Sequence, residues 1–427
     1  MLASVAAAAG CGESAKAPFR IGVLADCTGI SSESHDWSLA AAELPLLQHG
    51  GRLAGKGPAG GVTGATVAGR PVEIVEGCSE TGIFGRLITE TRQLIEIEHV
   101  DAVVGAYGWA DAVVFRELAR RYPTVPFIVA GSFAREATVH DPAPNLYRFS
   151  PDSEQEAAGL AAYAYRTLGW RSAATVAEVS PDGWGGVAAF TAEFCALGGS
   201  VKRIWTPPFA ADAGLLRQVP ASADGVMVVA RYGFAPLLRA YVARHADAAR
   251  SLVLDLRLYA PDELAAYAGL WPQLRGVVGH LAGLPGQASP SDAAYRTAFA
   301  NAFPGLPPQV ADDFSVLPYY TAVDALVQSL EKTNGEAGED RAQLRAALAS
   351  LRLATPEGTV RLDHNRQAIV PATLDQFDGT ATGSASFHPV RRIAAVDETL
   401  GGLLAPDVAP SFASPGCRRA TPPPWAR

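Results

Sequence analysis

The sequence predicts an α/β protein of two doubly wound, Rossmann-like lobes, each a parallel sheet covered by helices and joined to the other by a three-stranded hinge. Three observations carry this. Short apolar runs alternate with helical stripes at a steady rhythm, the pattern of parallel sheets buried on both faces. The 42 glycines and 31 prolines among 427 residues imply many short connections between many elements. At about 150 residues per domain the length suits two or three domains, and 48% apolar against 18% charged residues supplies their cores.

Arg20 to Ala25 (RIGVLA) is a short apolar run with the look of a buried strand. Val72 to Val75 repeats it after the turn Gly69-Arg70-Pro71. Ile83 to Glu98 carries Ile83, Leu87, Ile88, Leu94 and Ile95 as a helical stripe. Ala102 to Gly105 is strand-like, Ala110 to Arg121 helical and Pro126 to Ala130 extended. After Pro151 the cycle restarts with helix Ser153 to Leu168, strand Ser172 to Val179, helix Gly186 to Leu197 and strand Ser200 to Trp205. Gly225 to Ala230, Leu252 to Asp255 and Gly276 to Leu281 add strands, separated by helices at Ala235 to His245 and Pro261 to Ala268. Helices Ser291 to Phe303, Phe314 to Lys332 and Asp340 to Leu351 have no strands between them, so a return to the first lobe is expected. Strands Thr359 to Leu362 and Ala368 to Phe377 would return to the second.

The expected organisation is a leader and linker at 1–18, a first lobe from 19–150 plus 285–356, and a second from 151–284 plus 357–400. Residues 401–427 form a Pro-rich tail, expected to be extended or disordered. Open parallel sheets bind ligands beyond the C-terminal ends of their strands, and paired lobes bind between them.

A net charge of -8 with no Lys/Arg block excludes the basic face that nucleic acid requires. No unbroken apolar stretch is long enough to span a bilayer. Ala8-Ala9-Gly10-Cys11 has the small-small-Cys shape of a bacterial lipoprotein processing site. Cys11 would become the lipidated first residue, with Gly12 to Pro18 as a polar tether. A secretory signal needs a positive n-region, and no Lys or Arg precedes this run, so a start upstream of Met1 is expected. The alternative is an Ala-rich terminus with an incidental cysteine. Cys27, Cys78, Cys195 and Cys417 permit three pairings. Cys27 and Cys78 each follow a predicted strand of the first lobe, which favours Cys27–Cys78. Cys195–Cys417 would then staple the tail to the second lobe; free buried thiols are the alternative. The eight histidines are scattered and there is no C-x-x-C, so no metal site is expected.

Several segments form an ordered series: IGVLADCTG (Ile21 to Gly29), HGGRLAG with GRPVEIVEGC ending at Cys78, DAVVGAYGWADA (Asp101 to Ala112) and VPFIVAGSFAREAT (Val125 to Thr138). YRFSPDSEQEAAGLAAY (Tyr147 to Tyr163), DGWGGVAAF (Asp182 to Phe190), Tyr319-Tyr320 with Ala322, Asp324 and Ala325, and LATPEGTVRLD (Leu353 to Asp363) continue it. This series resembles the type I periplasmic solute-binding proteins of ABC transporters, in the branched-chain amino-acid and amide-binding branch typified by Leu/Ile/Val-binding proteins. The resemblance covers Arg20 to Gly379. It implies solute loops after the first-lobe strands, a first hinge crossing that carries Arg148, Asp152 and Gln155, a final hinge at Leu353 to Asp363, and an aromatic ring over the solute from the DGWGG segment. Two departures weaken the amino-acid assignment. Gly77-Cys78 stands where the family usually has an acidic residue, and Trp109 or Phe133 stands where a hydroxyl that helps hold a carboxylate is common.

On that architecture the first lobe would present Tyr107, Trp109, Gly131, Ser132 and Phe133 to the cleft, and the second Trp184, Tyr232 and Asp255. Ser132 with the amides around Gly131 suits a carboxylate or carbonyl oxygen, or caps a helix. Trp184 lies between two glycines, where a flexible turn projects a ring outwards. Asp255 suits a solute ammonium, or else pairs with Arg231 or Arg257. Aromatic walls with an arginine would suit an aromatic acid; with Asp255, an amino acid.

Catalytic readings find no support. Gly55 to Gly60 fits G-x-G-x-x-G but precedes a strand and contains Pro58. Gly50 to Lys56 fits G-x-x-x-x-G-K, but Gly57 replaces the hydroxyl needed for Mg²⁺. There is no G-x-S-x-G. The expected function is therefore that of an exported, lipid-anchored, monomeric solute-binding protein without cofactor. It would deliver an amino acid, amide or aromatic carboxylate to ABC permease subunits. A ligand-sensing domain of the same fold is the alternative, and an enzyme a more distant one.

Overall fold

The computed structural model describes residues 16–108, 110–139, 141–257, 265–282, 289–307, 310–311, 313, 315–381 and 384–427. Cys11, Trp109 and the first half of the expected Pro261 to Ala268 helix lie outside these residues.

Two main sheets organise the chain. The first runs in the order Thr66–Val67, Arg70–Ser79, Phe19–Asp26, Ala102–Gly105, Phe127–Val129, Leu146–Arg148. Its strands are parallel from Arg70–Ser79 onward, with Ala25 opposite Cys78 and Val104 opposite Ile128. The second begins Ser200–Thr206, Ser172–Glu178, Gly225–Ala230, Leu252–Arg257, Val278–Ala282, again parallel. Antiparallel Ala368–Ala381 then extends it towards Gly358–Leu362 and Arg352–Thr355. The central strands Gly225–Ala230 and Leu252–Arg257 are buried at every residue, as near-continuous apolar runs between two helical layers must be.

Helices Pro290–Ala302, Leu317–Lys332 and Ala342–Ala349 share one apolar core with Phe19, Ile21 and Val23 of the first sheet. The late helices with no strands between them thus pack on the first sheet. Three features differ from the sequence reading. The helix expected over Ser153 to Leu168 is two pieces, Ser153–Glu156 and Leu160–Arg166, broken at Gly159. The helix expected from Gly186 starts five residues earlier, because Pro181 fits the first helical position and Ser180 caps it through Gly183 N at 3.1 Å. Ser384–Val396 is a long strand paired antiparallel with Ala368–Ala381.

The link between the lobes is dense in polar contacts. Asp152 caps Ser153–Glu156 in a reciprocal box with Gln155. The Gln155 amide donates to Ala368 O at 2.7 Å and Val396 O at 2.9 Å. Gln367 donates to Ser150 O at 2.9 Å, and the Arg148 backbone donates to Arg366 O at 3.0 Å. Arg148 and Asp152 are both fully buried, 3.8 Å apart.

Disulfides join Cys27 to Cys78 and Cys195 to Cys417, with Cα atoms 5.3 and 5.4 Å apart. The tail departs from the disordered alternative. It ends in a short turn, Pro424–Ala426, with Ala426 fully buried.

Candidate functional site

Loops at the C-terminal ends of parallel strands leave backbone amides and side chains converging on one side of a sheet. Both sheets use that edge here. A cavity of about 510 Å³ lies between them. From the first lobe it is lined by 30–34, after strand Phe19–Asp26; by Thr81; by Tyr107 and Gly108, after Ala102–Gly105; and by Gly131 and Phe133, after Phe127–Val129. From the second come Glu178 and Asp182, Phe209, and Arg231 with Tyr232, following strands Ser172–Glu178, Ser200–Thr206 and Gly225–Ala230. Ser315 completes the wall.

The first-lobe wall is held from beneath. The Asp26 carboxylate accepts the Ser79 hydroxyl at 2.6 Å and Thr81 N at 2.8 Å. Asp111 accepts Gly108 N at 3.1 Å and Gly82 N at 3.3 Å; burial, helped by the charge of Asp26, pushes its carboxyl up to about 6. Tyr107 is hydrogen-bonded to Ser315 Oγ at 2.9 Å, and its buried phenol is pushed well up. Gly131 is needed for close approach, since a Cβ there would lie 3.2 Å from Tyr107 Cδ2.

The second-lobe wall is charged. Arg231 binds Asp255 with Nη2–Oδ2 at 3.1 Å, both buried. Burial pushes the Asp255 carboxyl up, but Arg231 and His280 outweigh it and leave it below its ordinary value. Arg257 is fully buried, pairs with Glu156, and meets Asp182 at 3.2 Å. Its guanidinium also lies over the Phe133 ring, 4.3 Å from the centroid. Burial raises the carboxyls of Glu178 and Asp182. Phe209 and Tyr232 meet edge to face, centroids 5.7 Å apart at 79°.

Of the residues singled out in the sequence, Tyr107, Gly131, Phe133 and Tyr232 line this cavity together. Ser132 is fully buried and is not among the lining residues. Asp255 is occupied by Arg231, so the ion-pair alternative describes it and the ammonium contact does not. Trp184 sits in the first turn of helix Pro181–Ala196, not on a free turn, and does not line the cavity. Sequence reasoning missed Glu178, Asp182, Phe209, Thr81 and the serines of 31–34. Glu178 and Phe209 stand at or just beyond strand ends, the one signal that marks them.

This arrangement defines a two-lobed α/β protein with a ligand cleft between its lobes. The chain belongs to the periplasmic binding protein family, whose model matches residues 18–383. No curated protein matches the sequence. Among solved structures it is similar to an ABC transporter substrate-binding protein from Sphaerobacter thermophilus, at 24% identity and TM-score 0.72, covering 88% of this chain and 98% of that one. It is also similar to a solute-binding protein of an ABC transporter from Rhodopseudomonas palustris BisB5, solved with 3,4-dihydroxybenzoic acid, at 20% identity and TM-score 0.68, covering 89% and 98%. A leucine-binding protein from Thermotoga maritima matches at 18% identity and TM-score 0.66, covering 88% and 99%. At these identities the likeness is one of fold.

Proposed function

We propose that the protein is the extracytoplasmic solute-capturing component of an ABC importer, binding a small amphipathic molecule between its lobes without turnover. The observation that carries this reading is the cavity of about 510 Å³ lined from both lobes at their strand C-termini. The lobes rotate about the crossing at Ser150 and its partner strands. A solute touches both walls only in the closed form, so its differential affinity shifts the population towards closure, and closure marks the loaded protein for the permease. The 3,4-dihydroxybenzoic acid and leucine bound or named in similar structures support a solute of that size. The lipid anchor is assigned to Cys11, and the partners are the permease subunits.

A thermal-shift screen over amino acids, amides, amines and aromatic acids tests the reading. A true solute raises Tm by binding only the folded state, by about 3 kcal/mol of stability at a hundredfold excess over Kd, and is recovered chemically unchanged. A protein that no member of the panel stabilises, or one that converts the solute, overturns it. Retention of a Cys11→Ala variant in the membrane fraction would remove the anchor.

A further inference from the structure

The charges around the cavity do not suit a simple carboxylate. Among its described lining residues Glu33, Glu178 and Asp182 are acidic and Arg231 is the one base. Arg231 already holds Asp255 at 3.1 Å, and Asp182 already meets Arg257 at 3.2 Å. Glu178 differs. It ends its strand, is 6% exposed, and forms no ion pair among the described residues. Burial raises its carboxyl, while the Ser180 side chain, the charge of Arg231 (itself bound to Asp255) and the Phe209 backbone N–H pull the other way.

Two aromatic rings line the same cavity. Phe209 is 54% and Tyr232 43% exposed, yet both face the cavity and pack edge to face. Phe209 has φ +60°, a left-handed conformation that a phenylalanine rarely adopts and that collects at ligand sites. Ring faces carry negative potential and attract cations, most strongly where water is excluded. A buried carboxylate whose neighbouring base is already shared with another acid, in a wall that also carries two exposed rings, favours the entry of a positive charge.

We propose that Glu178, framed by Phe209 and Tyr232, anchors a protonated amine, so that the cleft takes an organic ammonium with an aromatic or apolar body and disfavours simple carboxylates. The inference rests on the solute-binding reading above and adds the sign of the solute. An ammonium at Glu178 adds positive charge to a wall where Arg231 is shared between Glu178 and Asp255. A carboxylate would enter beside three acids, with its only lining base already bound to Asp255.

Isothermal titration of the full chain with benzylamine, benzyl alcohol and benzoate at neutral pH compares one ring carrying a positive, a neutral and a negative group. Benzylamine is expected to bind at least about tenfold more tightly than benzoate. Glu178→Gln, which keeps an acceptor for Phe209 N–H, should weaken benzylamine by about tenfold or more and change benzyl alcohol little. Equal or tighter binding of benzoate, or unchanged benzylamine affinity in the variant, overturns the proposal. If the variant fails to fold, the benzylamine-to-benzoate ratio of the unaltered chain decides. If leucine or benzoate binds and benzylamine does not, the amine assignment falls while the solute-binding reading stands. If no amine, amino acid or carboxylate binds, both fall.

Discussion

Glu43 shows what burial does to a single group. It sits mid-helix in His35–Gln48, is 1% exposed, and its Oε2 has no hydrogen-bond partner. Burial, then the charges of Glu76 and Asp36, push its carboxyl from an ordinary 4.5 to about 8. Between those values the folded chain holds a proton that the unfolded chain has lost. Stability from this group is therefore full below about pH 4.5 and falls as pH rises towards about 8. Glu43→Gln removes that slope. Denaturant titrations should find the variant more stable than the parent by about 1–3 kcal/mol at pH 9 and equal to it near pH 4.5; a difference that does not change with pH rejects the assignment. Single residues were legible in the sequence where they directly follow an apolar run, as Tyr107, Gly131 and Tyr232 do. Asp255 was ambiguous because its partner lies 24 positions away. Only the pairing of their strands, Val229 opposite Asp255, brings Arg231 beside it. A sequence does not state which strands are neighbours.

At the scale of elements, the strand–helix rhythm was readable because buried parallel strands are short apolar runs. What it hid were the places where tertiary packing overrides local pattern. The stretch Ser153 to Leu168 has helical composition throughout, yet Gly159 takes φ +86° and divides it. The turn lets the chain pass against strand Ser384–Val396, where a Cβ on Gly159 would lie 2.7 Å from Ile393 Cδ1. That strand was itself missed, since Pro389, Arg391 and Arg392 interrupt its alternation and its pairing carries bulges. Gly159→Ala should cost about 1–3 kcal/mol, from the left-handed backbone and the crowding of Ile393. Adding Ile393→Val, which removes Cδ1, should restore part of it. Unfolding by denaturant measures both, and an unaltered midpoint for Gly159→Ala contradicts the packing described.

The whole molecule is tied by a segment beyond the family match. After residue 383 the chain completes the strand Ser384–Val396 and then crosses the surface of both lobes. Trp425 packs against the apolar core of the second lobe, Arg166 donates to Ala426 O at 2.7 Å, and Arg391 donates to Trp425 O. Trp205 meets Phe412 edge on at 6.5 Å. From the first lobe, buried Arg135 donates to Ala405 O and Val408 O, both at 2.8 Å. Beyond the Cys195–Cys417 disulfide staple, the Pro-rich sequence carried no sign of this, because such a tail is otherwise ordered only by side chains elsewhere in the chain. That bond closes a loop of 222 residues between Cys195 and Cys417. Cross-linking so distant a pair removes much freedom from the unfolded chain, typically about 2–4 kcal/mol of stability. Cys195→Ser with Cys417→Ser should therefore lower stability by about that much and Tm by several degrees. The arginine contacts and Trp425 remain, so the released tail should stay docked most of the time. Limited proteolysis reads the difference, because cleavage follows the population of the undocked tail. Cuts near Arg418 and Arg419 should become faster in the double variant, ahead of cuts in either lobe. Equal cleavage rates and an unchanged Tm would mean that non-covalent packing alone holds the tail across the lobes.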